Sequence, residues 1–256
     1  MPSPRSLQIA LPLLLAAASG CRTGFQPRRF SSNDALYEAS LRELRARHWT
    51  NAIAGFERLT VELPARDPLF PRSLYHLGRS HVGSKENLLA AQSFARLAES
   101  FPNDSMADDA LLEAGRAYGR MWRKPALDAQ YGETALATYR TLVDVYPSSP
   151  LVAVANRETA RLAEWFARKT YDNGMHYFRR KGYESSIIYF KDVVTRYPDS
   201  PASRDALLRL AESYGKIRYR EDAAETCTTL HRAYPGDRQV REICGAVPDS
   251  AKTTVP

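Results

Sequence analysis

Histidines are the residues of this sequence best suited to acid–base or metal chemistry, but their spacing keeps them apart. His76 and His81 are five residues apart, whereas two ligands on one helical face stand four apart. The others are His48, His176 and His231. No glycine-rich phosphate loop and no serine in a nucleophile elbow accompanies them. We therefore predict a protein that is not an enzyme and that holds no metal and no cofactor.

Two cysteines near the C-terminus, Cys227 and Cys244, offer a covalent cross-link. In an oxidising compartment they would pair and tie the extension after residue 237 to the last helix. Cys227 also occupies a position that Phe56 and Phe94 fill in other parts of the chain. That favours the alternative, a buried thiol packed as a small apolar side chain. Both hypotheses stand at this point.

The remaining cysteine, Cys21, follows a segment typical of export. Arg5 is a basic start, and the apolar run 7–18 is too short to span a bilayer, which takes about 20 residues. Small residues at the three preceding positions resemble the lipobox of bacterial lipoproteins, whose cysteine is acylated. The alternative is an ordinary cleavage site followed by a cysteine. We predict a signal peptide over 1–20, lipidation of Cys21 and, because Arg22 replaces the aspartate of inner-membrane retention, an outer-membrane anchor.

Charge and composition limit the partners of the exported chain. The formal net charge of +7 falls to +6 when Arg5 leaves with the signal peptide. Such a charge would suggest nucleic acid for a cytosolic protein. Export argues against nucleic acid, and acidic protein surfaces or anionic lipid headgroups are the better complements. Residues 21–32, rich in Gly, Pro, Ser and Arg, predict a flexible lipidated tether.

Internal repetition predicts the elements that position these residues. An aromatic residue followed by proline and a polar residue recurs, and proline cannot continue a helix, so each copy marks a turn between helices. These copies begin at Phe101, Tyr146, Tyr197 and Tyr234. Between them runs a pattern of about 34 residues typical of tetratricopeptide repeats (TPRs). Small residues in the first helix, Gly78, Gly115 and Gly174, are expected to face Ala90, Ala135 and Ser186 in the second.

Two departures from the period are informative. In the third repeat the second helix arrives eight residues late, so an insertion lies around residues 120–130. Residues 151–181 contain no proline and keep helical apolar spacing, which predicts one long helix or two nearly collinear helices. The predicted fold is an all-α TPR superhelical solenoid of about five helix-turn-helix repeats with one long central helix. Its parts are an N-terminal half (33–149), a C-terminal half with the long helix (150–237) and an extension (238–256) that is partly disordered.

Three of these features together resemble the BamD family, lipoproteins of the outer-membrane β-barrel assembly machinery, over residues 21–237. A lipoprotein cysteine stands directly before a five-repeat array. The inserted stretch 124–131 is similar to a Leu-Asp-Gln insertion of many members. The helix at 163–169 then continues into the stretch 177–183.

The resemblance implies a scaffold in the outer membrane that faces the periplasm. Its C-terminal repeats would contact the POTRA domain of a BamA-like barrel protein, and its N-terminal repeats would receive unfolded outer-membrane protein segments. The alternative is a periplasmic TPR adaptor of the cell-envelope or cell-division machinery, which the repeats alone do not exclude.

Candidate site residues follow from these roles. For the barrel partner they are Tyr189, Lys191, Arg196 and Arg204, expected to be exposed; ordinary solvated surface is the alternative. For a peptide groove they are Tyr37, Trp49, Tyr75 and Arg79, because aromatic walls bury the side chains of an extended peptide and donors reach its backbone or carboxylate. Trp49, expected in an interhelical turn, has simple packing as its alternative.

Overall fold

The computed structural model describes residues 24–245, which form eleven α-helices and one 3-10 turn at Pro27–Arg29. The predicted signal peptide, Cys21 and the tail from residue 246 lie outside the described residues. The helices are α1 Asn33–Arg45, α2 Trp49–Glu62, α3 Leu69–Gly83, α4 Asn87–Ser100, α5 Ala107–Met121, α6 Gln130–Val145, α7 Val152–Arg179, α8 Tyr183–Arg196, α9 Pro201–Lys216, α10 Arg220–Ala233 and α11 Arg238–Cys244.

Successive helices pair into hairpins that stack as a solenoid of five TPRs, which confirms the predicted fold. The repeats are α1/α2, α3/α4, α5/α6, the C-terminal part of α7 with α8, and α9/α10. Each aromatic residue of the repeated motif ends a helix as its C-cap, and the proline after it prevents continuation. Ser200 then caps α9 by accepting a hydrogen bond from the Ala202 amide.

The turns inside four repeats share one backbone conformation. Arg47, Lys85, Lys181 and Arg218 all have a φ between 60° and 65°, in the left-handed region that favours glycine. The amide after each of them bonds a carbonyl five residues earlier, as Glu86 does with His81 at 2.9 Å. A cation at the C-terminal end of a helix interacts favourably with the helix dipole. The third repeat has the insertion in place of this turn.

Glycines in the first helix of a repeat accept an aromatic ring from the second helix. A Cβ on Gly78 would lie 2.8 Å from the ring of Phe94, and a Cβ on Gly115 would lie 2.4 Å from Tyr139. Gly174 meets Phe190 in the same way. The nearest atoms therefore belong to these rings and not to the alanines and serine that the sequence suggested. The rings are fully buried and form the centres of the repeats.

The insertion is fixed by a tryptophan. Trp122, 1% exposed, packs against Phe166 of α7 with the ring planes tilted and 4.5 Å between ring centroids. It also occupies space left by Gly132, where a Cβ would lie 2.2 Å from the indole. Lys169 of α7 donates a hydrogen bond to the Leu127 carbonyl oxygen at 2.8 Å. These contacts hold the insertion against the long helix.

Helix α7 is a single helix of 28 residues, as one of the two sequence-based interpretations had it. Leu162 and Phe166 belong to the core shared with α5 and α6, and Ala167 belongs to the core shared with α8 and α9. One rigid element therefore serves both halves of the solenoid.

Both ends of the described chain pack against the solenoid. At the N-terminal end, where a flexible tether was expected, Phe25 packs beside Gly55 of α2 and Arg58 donates a hydrogen bond to the Pro27 carbonyl oxygen. At the other end α11 packs on α9 and α10 through Val240, which is 1% exposed. The structure joins Cys227 of α10 to Cys244 of α11 by a disulfide, with 5.4 Å between the Cα atoms.

Candidate partner-binding surfaces

A cleft of about 580 Å³, called here the repeat 1–2 cleft, lies between the end of α1, the start of α2 and the last turns of α3. Its cations are Arg45, Arg47 and Arg79, and Trp49 forms one of its walls. Leu41, Leu44, His76, Val82 and Gly83 complete the lining. An aromatic wall beside guanidinium groups can hold an apolar side chain and a carboxylate of the same peptide.

Trp49 is the first residue of α2 and does not lie in the turn, a correction to the expectation from sequence. A Cβ on Gly83 would stand 2.5 Å from its indole, so this glycine makes room for the ring. The indole remains half-buried and borders a second depression on its other side, together with His48 and Asn51. Trp49 therefore both packs against α3 and presents surface.

His76 also lines the cleft, a place that its position in the sequence did not predict. Burial, and then the positive charges of Arg79, Arg45 and Arg72, together lower its pKa to about 4. Its Nδ1 has no hydrogen-bond partner within the described chain. The ring is neutral near pH 7, so the charge of the cleft comes from its arginines. The basic stretch 42–47 was the available sequence signal for Arg45 and Arg47.

The other two groove candidates have positions behind or beside the cleft. Tyr37 is 7% exposed and makes an edge contact with Phe56, so it supports the cleft from the core. Tyr75 donates a hydrogen bond to the Asp109 carboxylate of α5, which ties the second repeat to the third. Burial, and then this hydrogen bond, raise the pKa of Tyr75. The structure thus brings Trp49 and Arg79 into one cleft and leaves Tyr37 and Tyr75 outside its lining.

The exposed half of α8, called here the α8 face, has Ile188 near its centre and Tyr189 and Lys191 on its two sides. Tyr189 stacks on Tyr177 of α7 with 5.5 Å between centroids and 11° between planes. Ile188 beside it is 68% exposed and adds to the exposed apolar surface of the tyrosine pair. Lys191 is exposed one turn after Ile187. A small cleft of about 410 Å³ borders the tyrosine pair and includes Lys169 and His176.

Arg196 lies at the end of α8 and is also exposed. Its guanidinium stands over the ring of Tyr197 at 5.3 Å and is 3.4 Å from Asp192. It lines a narrow cleft of about 210 Å³ between α6, α7 and α8. Because the ion pair with Asp192 is exposed, it leaves the guanidinium available to a partner.

Arg204 differs from the other three partner candidates, because its guanidinium is engaged within the fold. It bonds the Asp237 carboxylate at 2.6 Å and Gln239 at 2.8 Å, and it stands over the Tyr234 ring. The hydrogen bond to Asp237 raises the pKa of Arg204 and lowers that of Asp237. The structure therefore corrects the expectation that Arg204 is an exposed surface residue: it fastens the start of α11 to α9.

The remaining titratable groups of the described chain are spread along the solenoid. Within residues 24–245, no three His, Cys, Asp or Glu side chains gather in a group that could hold a metal ion. His81 and Glu86 bond each other at 2.7 Å across an intra-repeat turn. No helix in this part of the chain combines the length and apolarity that a membrane span requires.

Comparison with known proteins identifies the family. A family model named YfiO, outer membrane lipoprotein, matches residues 30–230. The chain belongs to this family. The matched range runs from the end of the docked N-terminal segment to the last turn of α10, so it includes the repeat 1–2 cleft and the α8 face.

The individual proteins that resemble this chain share only a small fraction of identical residues with it. Outer membrane protein assembly factor BamD of Caulobacter vibrioides is 24% identical over 237 residues, which is 91% of this chain and 77% of that protein. Among solved structures, the P58(IPK) TPR domain is 13% identical with a TM-score of 0.43, covering 81% of this chain and 53% of that one. A thermophilic TPR protein of Thermus thermophilus is 18% identical with a TM-score of 0.37, over 82% of this chain and 96% of that one.

Proposed function

We propose that this protein is a lipid-anchored scaffold of the machinery that assembles β-barrel proteins in the outer membrane, and that it is not an enzyme. The family match over residues 30–230 carries this proposal. A relative named as a BamD assembly factor, aligned over 91% of the chain, supports it. The anchor is Cys21, and the solenoid faces the periplasm.

The α8 face is the surface proposed to bind the POTRA domain of a BamA-like barrel protein. Interface centres favour desolvated aromatic and aliphatic anchors beside a few charges. Ile188 and the Tyr177–Tyr189 pair supply the apolar part. Lys191 and Arg196 supply positive charge, so the complementary patch on the partner is apolar with an acidic edge.

The repeat 1–2 cleft is the surface proposed to receive unfolded segments of outer-membrane proteins. Trp49 offers a flat apolar wall. Because its side chain has few rotatable bonds, it loses little conformational entropy on binding. Arg45 and Arg79 offer donors to the backbone or to a carboxylate. An extended segment with an aromatic side chain next to a negative charge fits this lining.

Affinity capture of the tagged, lipidated protein from cross-linked membranes tests the proposal. We expect a barrel protein with POTRA domains as the main partner. The double variant Ile188→Ser/Lys191→Glu should lower its recovery at least tenfold, because anchors at the centre of an interface contribute about 2 kcal/mol or more.

The matched control is Val145→Ser/Arg157→Glu, which alters one exposed apolar and one exposed basic residue elsewhere. Its recovery of the barrel protein should equal that of the unaltered chain. Capture of cell-wall or Tol-type proteins alone would contradict the proposal and favour the adaptor alternative. An equal loss of barrel-protein recovery in both double variants would show that the α8 face is not the binding surface.

A further inference from the structure

The segment just after the predicted anchor is docked on the first repeat. Phe25 lies beside Gly55, where a Cβ would be 3.1 Å from the phenyl ring, and its ring contacts Phe30 at 5.7 Å. Arg58 of α2 donates a hydrogen bond to the Pro27 carbonyl oxygen and pairs with Glu62 at 2.8 Å. Residues 25–30 therefore move with α2.

This docking leaves little chain between the acylated residue and the solenoid. Phe25, the first docked residue, is the fourth residue after Cys21. Four residues span at most about 14 Å even when fully extended. An acyl group on Cys21 therefore holds the first repeat within that distance of the headgroup region, and the docked segment faces the bilayer side.

The surface at this place has the charge that a phospholipid bilayer attracts. Residues 22–33 contain three arginines and no acidic residue. Arg28 and Arg29 are exposed. The negative charge of the exposed Glu57 offsets part of this positive charge. The charge of Glu62 is compensated by Arg58. The face keeps an excess of positive charge.

An apolar side chain completes this face. Val61 is 84% exposed, the highest value among the large apolar residues of the described chain. It follows Ala54 by seven residues, which places the two within about 20° on the helix. Ala54 and Arg58 line the open depression next to the docked segment. Val61 therefore projects on the side of α2 where Arg28 lies.

We propose that this face, formed by Phe25–Arg29 docked on α2 together with Val61, is a membrane-contact surface that binds the anionic phosphate headgroups of the bilayer holding the anchor. The inference rests on the proposed lipidation of Cys21. Arg28 and Arg29 bind the phosphates, and Val61 enters the interfacial region. The acyl anchor and this face then act as two attachment points that orient the first repeat against the membrane.

Vesicle binding without the acyl group tests the surface separately from the anchor. The chain from residue 21 with Cys21→Ser is sedimented with phosphatidylethanolamine vesicles that contain either phosphatidylglycerol or phosphatidylcholine. We expect binding to the anionic vesicles that weakens as salt is added. The variant Arg28→Gln/Arg29→Gln should bind roughly 25-fold more weakly, since each basic residue near such a surface contributes about fivefold.

The control Arg157→Gln/Arg232→Gln removes the same charge from exposed positions far from the tether and should bind like the parent. Equal binding to both kinds of vesicle, or equal weakening in the two double variants, would overturn the proposal. Because the assay contains no barrel protein, its outcome is independent of the partner captured through the α8 face.

A fluorophore at Val61→Cys reports whether the docked geometry matters. With anionic vesicles its emission should shift to the blue, and Phe25→Ala, which releases the segment but keeps every charge, should abolish the shift. An emission unchanged by vesicles would place Val61 away from the bilayer and contradict the proposed face. Circular dichroism of Phe25→Ala checks that the repeats remain folded.

Discussion

At the scale of single residues, His76 illustrates how the surroundings of a side chain set its protonation state. Its ring contacts those of Tyr37, Phe56 and Tyr75, with centroid distances of 5.9, 5.5 and 5.7 Å. Arg45, Arg72 and Arg79 stand close enough to disfavour its protonation. A histidine in such a place is a neutral part of the cleft and is not poised for proton transfer near neutral pH.

The stability of the folded chain should depend on this histidine in mildly acidic solution. The pKa of His76 is about 4 when folded, and an unperturbed histidine titrates near 6.5. Between these values the unfolded chain binds a proton that the folded chain does not. The free energy of unfolding therefore falls as pH decreases from 6.5 to 4, by on the order of 2 kcal/mol.

Urea unfolding at a series of pH values measures this dependence. The variant His76→Gln should show a shallower loss of stability over the same interval, because it removes the titrating group and keeps a polar side chain of similar reach. Identical slopes for the two proteins would show that His76 does not titrate in this range and would contradict the expected linkage.

At the scale of elements, the close approach of paired helices depends on a glycine opposite a ring. Gly78→Ala would bring a Cβ to 2.8 Å from Phe94, and we expect a loss of about 1–3 kcal/mol from overpacking. Gly215→Ala in α9 is the matched control, since no atom lies within 4 Å of the new Cβ. It should be neutral or stabilise by up to about 1 kcal/mol through helix propensity. Denaturant unfolding of both variants measures these effects. Equal shifts of the two midpoints would contradict the packing argument.

The C-terminal helix hairpin is predicted to depend on the disulfide. The bridge closes a separation of 17 residues between Cys227 and Cys244. A loop of this length corresponds to about 3 kcal/mol. Cys244→Ser should therefore accelerate amide exchange in α10 and α11 and leave α3 and α4 unchanged. Two alkylatable thiols in the unreduced protein would contradict the bridge itself.

At the scale of the whole molecule, the long helix should couple the two halves. Glu164→Pro places a proline inside α7 at an exposed position, which costs about 3 kcal/mol or more. Because α7 contributes to both central cores, we expect faster amide exchange in α6 and in α8 alike. Arg220→Pro at the first position of α10 is the control and should be tolerated. A change limited to one half would show that the halves unfold separately.

The parts of the fold predicted from sequence are those set by local pattern. Prolines and aromatic residues marked the helix ends, and the late arrival of Ala135 located the insertion. The parts that were missed depend on residues distant in sequence. Arg204 meets Asp237 across 33 residues, and Phe25 depends on the absence of a side chain at Gly55. The partner surfaces were placed only roughly, because exposure depends on packing: of the groove candidates, only Trp49 and Arg79 line the cleft.

The four intra-repeat turns with left-handed Arg47, Lys85, Lys181 and Arg218 have a consequence for long-range electrostatics. Equivalent positions of stacked repeats lie along one edge of the superhelix, so this edge has a cation with left-handed backbone in every repeat except the third, where the insertion takes the place of the turn. Glycine at these sites would relieve backbone strain of about 1 kcal/mol each but would remove the four cations. An acidic unfolded chain lying along that edge would meet positive charge at these four turns and also at the insertion, where Arg120, Arg123 and Lys124 outnumber Asp128.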